Sequence, residues 1–236
     1  MSPTPAQRPP SSFASLWRPL LVGAFVAAMA FVFLKLGSEV VEGETQGFDA
    51  YFLNTAHSLR EQYPSLSSVM RDITSLGSLA LLALFTAFAV TYLTLFRSRL
   101  LAALVVASIL SGTALVALFK NLFGRARPDP ALAELSASGL SFPSGHTSMS
   151  AIVFLTIGAL IAVTHQRAGE RAYIVLAACL LTVLVGVSRI ALGVHWTTDV
   201  IGGWAFGSAW AVVWLQVARM LTNPPAAAPK RTSADG

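Results

Sequence analysis

The chain is poor in charge. Of its 236 residues only 11% are Asp, Glu, Lys or Arg, while 55% are hydrophobic. An ordinary soluble domain carries about a quarter charged residues. That deficit excludes a water-facing surface over the whole fold, and the positive mean hydropathy points to a bilayer instead. Cysteine is scarcer still: Cys179 stands alone, inside an apolar run. An internal disulfide is thereby excluded, as is a thiol pair holding a metal. No internal repeat is present. The net charge of +5 raises nucleic acid as a partner, but the basic residues lie between apolar runs and not along one polar face, which argues against it.

What the sequence does have is apolar runs. They cover residues 20–36, 76–96, 100–118, 148–163, 173–187 and 198–220. Each approaches the roughly 20 residues needed to cross a hydrocarbon core. The expected fold is all-α: a polytopic membrane protein built as a six-transmembrane-helix bundle. The first run ends at Lys35 with no small-x-small cleavage site after it, which favours an uncleaved membrane helix over a signal peptide. Residues 37–75 are polar by comparison. Within them Phe52, Leu53, Ala56 and Leu59 recur at helical spacing, opposite Asn54, His57 and Arg60. That pattern predicts an interfacial helix between spans 1 and 2. His57 and His165 read as loop residues without a chemical role. Residues 1–18 and 222–236 are expected to be disordered tails flanking one membrane domain, 19–221. The stretch Gly203-Trp-Ala-Phe-Gly207 has the small-xxx-small pattern that lets helices approach closely.

Six spans put the N-terminus, Arg97/Arg99, Arg167/Arg171, Arg219, Lys230 and Arg231 on one side. Lys35, Arg60, Arg71, Lys120, Arg125, Arg127 and Arg189 fall on the other. The last four of these belong to motifs with a chemical reading. Setting them aside leaves the first side ahead by about three to one, and positive-inside bias makes it cytoplasmic. The expected location is the inner (plasma) membrane, multi-pass, with both termini cytoplasmic and the motifs facing the periplasm or exterior.

Three segments carry those motifs. Lys120-Asn-Leu-Phe-Gly-Arg125-Ala-Arg127-Pro128 ends the third span, Phe142-Pro143-Ser144-Gly145-His146-Thr147 begins the fourth, and Ser188-Arg189 through His195 to Asp199 joins the fifth to the sixth. All three emerge on one face. Lys120, Arg127 and Arg189 bring three cations together at a membrane boundary, where ionisable groups are costly and usually functional. An anion must offset their repulsion. Arginine's planar fork matches phosphate oxygens, and lysine adds a point charge. Ser144 and Gly145 open a helix after a proline, so Ser144 is expected to cap it and the backbone N–H groups there form an anion site. His195 and Asp199, four apart, are expected on one helical face, where the carboxylate would keep one imidazole nitrogen protonated and the other bare. His146 comes from a different helix and can protonate a leaving oxygen. These two imidazoles suit a two-step displacement, and the residues alone do not say which is the nucleophile. Histidine and carboxylate also suit zinc, but a divalent cation conflicts with the three basic residues, so no metal is expected.

At these positions the chain resembles the type 2 phosphatidic acid phosphatase family, whose signature reads K-x6-R-P, P-S-G-H and S-R-x5-H-x3-D. Lys120, Arg127, Pro128, Pro143, Ser144, Gly145, His146, Ser188, Arg189, His195 and Asp199 match every fixed position. Arg125 is a cation that the pattern does not require. The resemblance implies that Lys120, Arg127, Ser144, Gly145 and Arg189 bind phosphoryl oxygens. It further implies that His195 attacks phosphorus, that Asp199 orients it, that His146 protonates the leaving group, and that no cofactor takes part. The implied activity is hydrolysis of a lipid phosphate or diphosphate through a phosphohistidine. Undecaprenyl diphosphate is the leading specific expectation, beside phosphatidic acid and phosphatidylglycerol phosphate. The partners expected are that lipid and the bilayer, with no obligate protein partner evident. Alternatives are a lipid phosphotransferase, a non-catalytic lipid-phosphate carrier and a vanadium haloperoxidase, the last disfavoured by six spans.

Overall fold

In the computed structural model, which describes residues 12–222, the regular secondary structure is entirely helical. The helices are α1 (Ser12–Glu42), α2 (Gln46–Gln62), α3 (Ser65–Ser75), α4 (Leu79–Phe96), α5 (Arg99–Phe123), α6 (Gly145–Ala162), α7 (Ala168–Ala191) and α8 (Thr197–Thr222). A 3-10 turn at Pro130–Leu132 lies in the long connection from α5 to α6. Six units are long and apolar enough to cross a membrane: α1, the α3–α4 pair, and α5 to α8.

Local chemistry sets several boundaries. Ser78 and Ser98 cap α4 and α5, their hydroxyls accepting from Leu81 N and Leu101 N. Gly124, at φ 60°, ends α5 in the left-handed conformation while its N–H returns to Lys120 O. Glycine takes that conformation without steric cost, so the chain turns sharply into Arg125-Ala126-Arg127.

α6 is the central helix, packed on both α7 and α8, with Ala151, Ile152 and Val153 fully buried. The small-xxx-small pattern explains how α8 comes so near. A Cβ at Gly207 would lie 2.6 Å from the Ala151 Cβ, and one at Gly203 would lie 2.9 Å from the Thr147 Cβ. α1 lies against α8, contributing Phe33 to a cluster with Val116, Phe142 and Phe206. Elsewhere the outward faces are apolar: Leu79, Phe88, Leu110, Leu122, Tyr173 and Leu176 are all exposed. Such a belt would be a liability in water and is satisfied by lipid. Cys179 also lies exposed, on α7.

The polar stretch between the first two spans departs from expectation. α1 begins at Ser12 and continues to Glu42, and its membrane-crossing part is Pro19–Glu42. Residues 1–11 and 223–236, where disordered tails were expected, lie outside the described residues. α2 is the helix expected between spans 1 and 2, and α3 leads into α4 as part of the second span. The face of α2 is also rotated from the one expected: Asp49, Leu53, Ala56 and Arg60 point inward, while Phe52 and Leu59 are exposed. An inward arginine was not expected because polarity alone puts Arg60 outside. It is buried because its guanidinium finds partners there, donating to Ala191 O and, at 2.5 Å, to Leu132 O. Glu134 lies 3.5 Å from its Nε. His57, expected in a loop, is a residue of α2.

Candidate active site

The C-terminal ends of α5 and α7 and the N-terminal ends of α6 and α8 meet at one end of the bundle, roofed by α2, α3 and the α5–α6 connection. Near the end of α7 Arg189 is buried and its Nη1 donates to Thr74 of α3 at 2.8 Å. Its Nε has no hydrogen-bond partner. At the end of α5 Lys120 donates to Leu140 O at 2.5 Å and lies within electrostatic range of Arg127, Asp199 and Arg189. Just beyond α5, Arg127 is held by the carbonyls of Ser138, Gly139 and Val194. Its Nη1 also reaches His195 Nε2 at 3.0 Å.

His195 is fixed from its other side. Its Nδ1 lies 3.2 Å from Asp199 Oδ2. The carboxylate can only accept, so Nδ1 carries the proton and Nε2 presents a lone pair. The two residues are not on one helical face as expected, because α8 starts at Thr197 and His195 lies in the turn before it. The bond forms nonetheless because Asp199, in the first turn of α8, reaches back. Its Oδ2 also accepts from Trp196 N at 3.0 Å, which closes the helix start in the manner of a capping box. Ser141 Oγ donates to the same oxygen. Burial lowers the His195 pKa to about 4; Asp199 opposes the shift, while Arg127 and Arg189 add to it. The imidazole is therefore neutral at pH 7, as a nucleophilic nitrogen requires.

α6 supplies the remaining groups. The side chain of Ser144 does not cap the helix, contrary to expectation. Its Oγ accepts from Thr147 Oγ1 at 3.0 Å, which leaves its own hydrogen available for another acceptor. The N–H groups of Gly145, His146 and Thr147 belong to the first turn, where no intrahelical acceptor exists. A Cβ at Gly145 would lie 3.9 Å from Lys120 Cε, so the lysine stem crosses directly over this helix start. His146 stands within electrostatic reach of Arg189, His195, Arg127 and Lys120. Thus all eight site residues expected from the sequence are brought to one place: Lys120, Arg127, Ser144, Gly145, His146, Arg189, His195 and Asp199.

Other residues at the site had no signal of their own in the sequence. Ser141 and Thr74 lie outside the motifs. Gly193, at φ 69°, would bring a Cβ within 2.5 Å of Leu132 O, so only glycine lets the α7–α8 turn fit beneath the 3-10 turn. Asp49 accepts from Thr198 N at 2.9 Å and from Thr198 Oγ1 at 2.7 Å. Arg125 was visible as an unexplained cation, and it donates to both Asp49 and Asp199. Among the described residues no group of three or more His, Cys, Asp or Glu side chains converges as metal ligands would.

A cleft of about 610 Å³ runs from this end down the outside of the bundle between α4 and α5. Lys120, Gly145 and His146 line its upper end, and Leu82, Ala83, Val90, Val106, Ile109 and Ala117 carry it into the apolar belt.

Residues 99–223 match the PAP2 superfamily. Phosphatidylglycerophosphatase B of Bacillus subtilis (strain 168) is 32% identical over 181 residues, which is 74% of this chain and 85% of that protein. Two crystal structures share the fold. One is the first transmembrane PAP2 type phosphatidylglycerolphosphate phosphatase from Bacillus subtilis, with a TM-score of 0.75 at 28% identity, covering 83% of this chain and 96% of that one. The other is Aquifex aeolicus LpxE, with a TM-score of 0.55 at 25% identity, covering 72% and 95%.

Proposed function

The chain belongs to the PAP2 superfamily, and on that footing we propose that it hydrolyses a lipid phosphate through a phosphohistidine formed on His195 Nε2. Its class is that of the PAP2 lipid phosphatases, and it is a multi-pass membrane protein. The observation that carries the mechanism is the pairing of His195 Nδ1 with Asp199 while Nε2 faces Arg127.

In this reading the phosphoryl group sits among Arg127, Lys120, Arg189, Ser144 Oγ and the N–H groups opening α6. Those donors stabilise the charge that builds on the equatorial oxygens. Nε2 forms the bond to phosphorus as the bond to the leaving oxygen breaks. His146 gives that oxygen its proton and so releases the dephosphorylated lipid. His146, now neutral, takes a proton from water. The water oxygen bonds to phosphorus, the P–N bond breaks, and its electron pair returns to Nε2. Asp199 holds Nδ1–H throughout and offsets the positive charge on the phosphorylated ring.

The α4–α5 cleft supports a lipid substrate, because an apolar chain can lie in it with its phosphate at Lys120 and His146. The name of the Bacillus subtilis relative moves phosphatidylglycerophosphate ahead of undecaprenyl diphosphate and phosphatidic acid as the substrate tested first. Positive-inside bias supports a site facing the exterior of the inner membrane, with cytoplasmic termini. The decisive experiment is phosphate release from these three lipids in detergent, with the His195→Ala protein as control. Release by wild type and none by the variant is expected. Full activity of the variant would overturn the mechanism, and phosphate transfer only when an acceptor alcohol is added would favour a phosphotransferase.

A further inference from the structure

Arg125 and Asp49 have no place in the phosphoryl chemistry above, yet both are locked into the site. Asp49 is fully buried, as is Asp199. One guanidinium spans the two carboxylates: Arg125 Nη1 donates to Asp199 Oδ1 at 2.7 Å, and Nη2 donates to Asp49 Oδ2 at 2.5 Å. Each nitrogen has a further acceptor, Thr198 Oγ1 at 2.7 Å for Nη1 and Thr45 Oγ1 at 3.1 Å for Nη2. The Trp196 ring lies 5.4 Å from the guanidinium carbon. With both terminal nitrogens committed, Arg125 is not arranged to hold the substrate's oxygens, unlike Arg127 two residues later.

We infer that Asp49 and Arg125 are positioning residues for the nucleophile, Asp49 acting through Arg125 and Arg125 through Asp199. The division of Asp199's two oxygens carries the inference. Oδ1 is taken by Arg125, while Oδ2 faces His195 Nδ1. A carboxylate held at one oxygen cannot rotate about its own bond, so the other stays aimed at the imidazole. The charges matter as much as the geometry. One guanidinium between two buried carboxylates leaves a net negative cluster behind His195. Removing Asp49's charge would leave Arg125 to neutralise Asp199 alone, weakening its support of the ring that becomes positive on phosphorylation. Asp49 comes from α2, so a helix outside the signature motifs takes part in aligning the catalytic pair.

This inference rests on His195 being the nucleophile, and the experiment separates the two. Turnover of lipid phosphate is measured for wild type, His195→Gln, Asp49→Asn, Arg125→Gln and the Asp49→Asn/Arg125→Gln double variant, with unfolding temperatures in detergent. Asp49→Asn is expected to lower kcat about tenfold with KM within about twofold, the pattern of lost transition-state support. Arg125→Gln should lower kcat further, and the double variant should be no worse than Arg125→Gln, because Asp49 acts only through Arg125. Full kcat in Asp49→Asn with a lower unfolding temperature would reduce the pair to a structural staple and overturn the inference. So would additive losses in the double variant. Should Asp49→Asn fail to fold, Thr45→Val removes one acceptor of Nη2 and keeps both carboxylates. It should lower kcat about two- to fivefold, and an unchanged kcat would overturn the inference. An active His195→Gln protein would instead sink the mechanism on which the inference rests.

Discussion

Arg125 and Arg127 are two residues apart in sequence and grip the same His195–Asp199 pair from opposite ends. Arg127 Nη1 stands 3.0 Å from the Nε2 of His195, and Arg125 Nη1 stands 2.7 Å from Oδ1 of its partner Asp199. The left-handed Gly124 ends α5 just before them, and the chain that follows has no regular secondary structure, so no helical or strand period ties the two side chains to one side. Arg127 reaches Val194 O and the His195 ring, whereas Arg125 reaches the buried carboxylates of Asp49 and Asp199.

Asp199→Asn should lower kcat by about 10²- to 10⁴-fold, as loss of the orienting carboxylate does in other imidazole-based sites. KM should change little, because the phosphate ligands remain. Steady-state kinetics on a single lipid phosphate will check this. A change confined to KM would remove Asp199 from the role given to it.

The His195 pKa, lowered to about 4 chiefly by burial, makes a statement about stability. The unfolded chain takes up a proton on this residue near pH 6.5, and the folded chain resists it. Its contribution to stability is therefore fully present above about pH 6.5 and is lost as pH falls toward 4. Unfolding temperatures of wild type and His195→Gln, measured in detergent between pH 4 and 7, should draw together as pH falls. Parallel curves would place the pKa at its ordinary value.

Filling the cleft between α4 and α5 should separate the lipid's tail from its phosphate. Ala83→Trp puts a large ring midway along the cleft, well below Lys120. KM for a long-chain lipid phosphate should rise about tenfold, within the range one apolar pocket contact provides. KM for a short-chain, water-soluble phosphate should stay within about twofold. Equal effects on both would show that the cleft is not where the chain lies.

In the proposed mechanism Lys120, Arg127 and Arg189 supply the positive charge that magnesium supplies in other phosphoryl-transfer sites. Activity should survive EDTA within about twofold. Vanadate, which adopts the five-coordinate geometry of the transition state, should inhibit competitively and at far lower concentration than phosphate. Assays of phosphate release with each additive will test both. A strict requirement for added magnesium would overturn the metal-free mechanism.

Much of this was legible in the sequence because it is local. An apolar run of about 20 residues has few fates other than crossing a bilayer, and five of the six expected runs lie within the corresponding helices but for a residue at an end. The exception in kind is the second span, in which the short helix α3 precedes α4. The eight candidate residues were also legible, because each motif is short and ends at a helix terminus. Proline and glycine mark those ends, and the order of spans brings them to one face.

The tertiary structure decided what surrounds them. Arg60 looks like the wet side of an interfacial helix, yet it is buried, as is Asp49. Burying a charge is tolerable only where another element brings its partner, and no pattern within α2 encodes that. Arg125 meets Asp49 across 76 residues, and Arg189 meets Thr74 across 115. The amino-acid order by itself determined a membrane bundle with three short motifs at one end, two of them basic, through hydropathy and spacing. Which carboxylate each arginine holds, and hence which face of its imidazole His195 offers, was settled only when distant helices packed, because hydrogen bonds act over about 3 Å and respond to position in space.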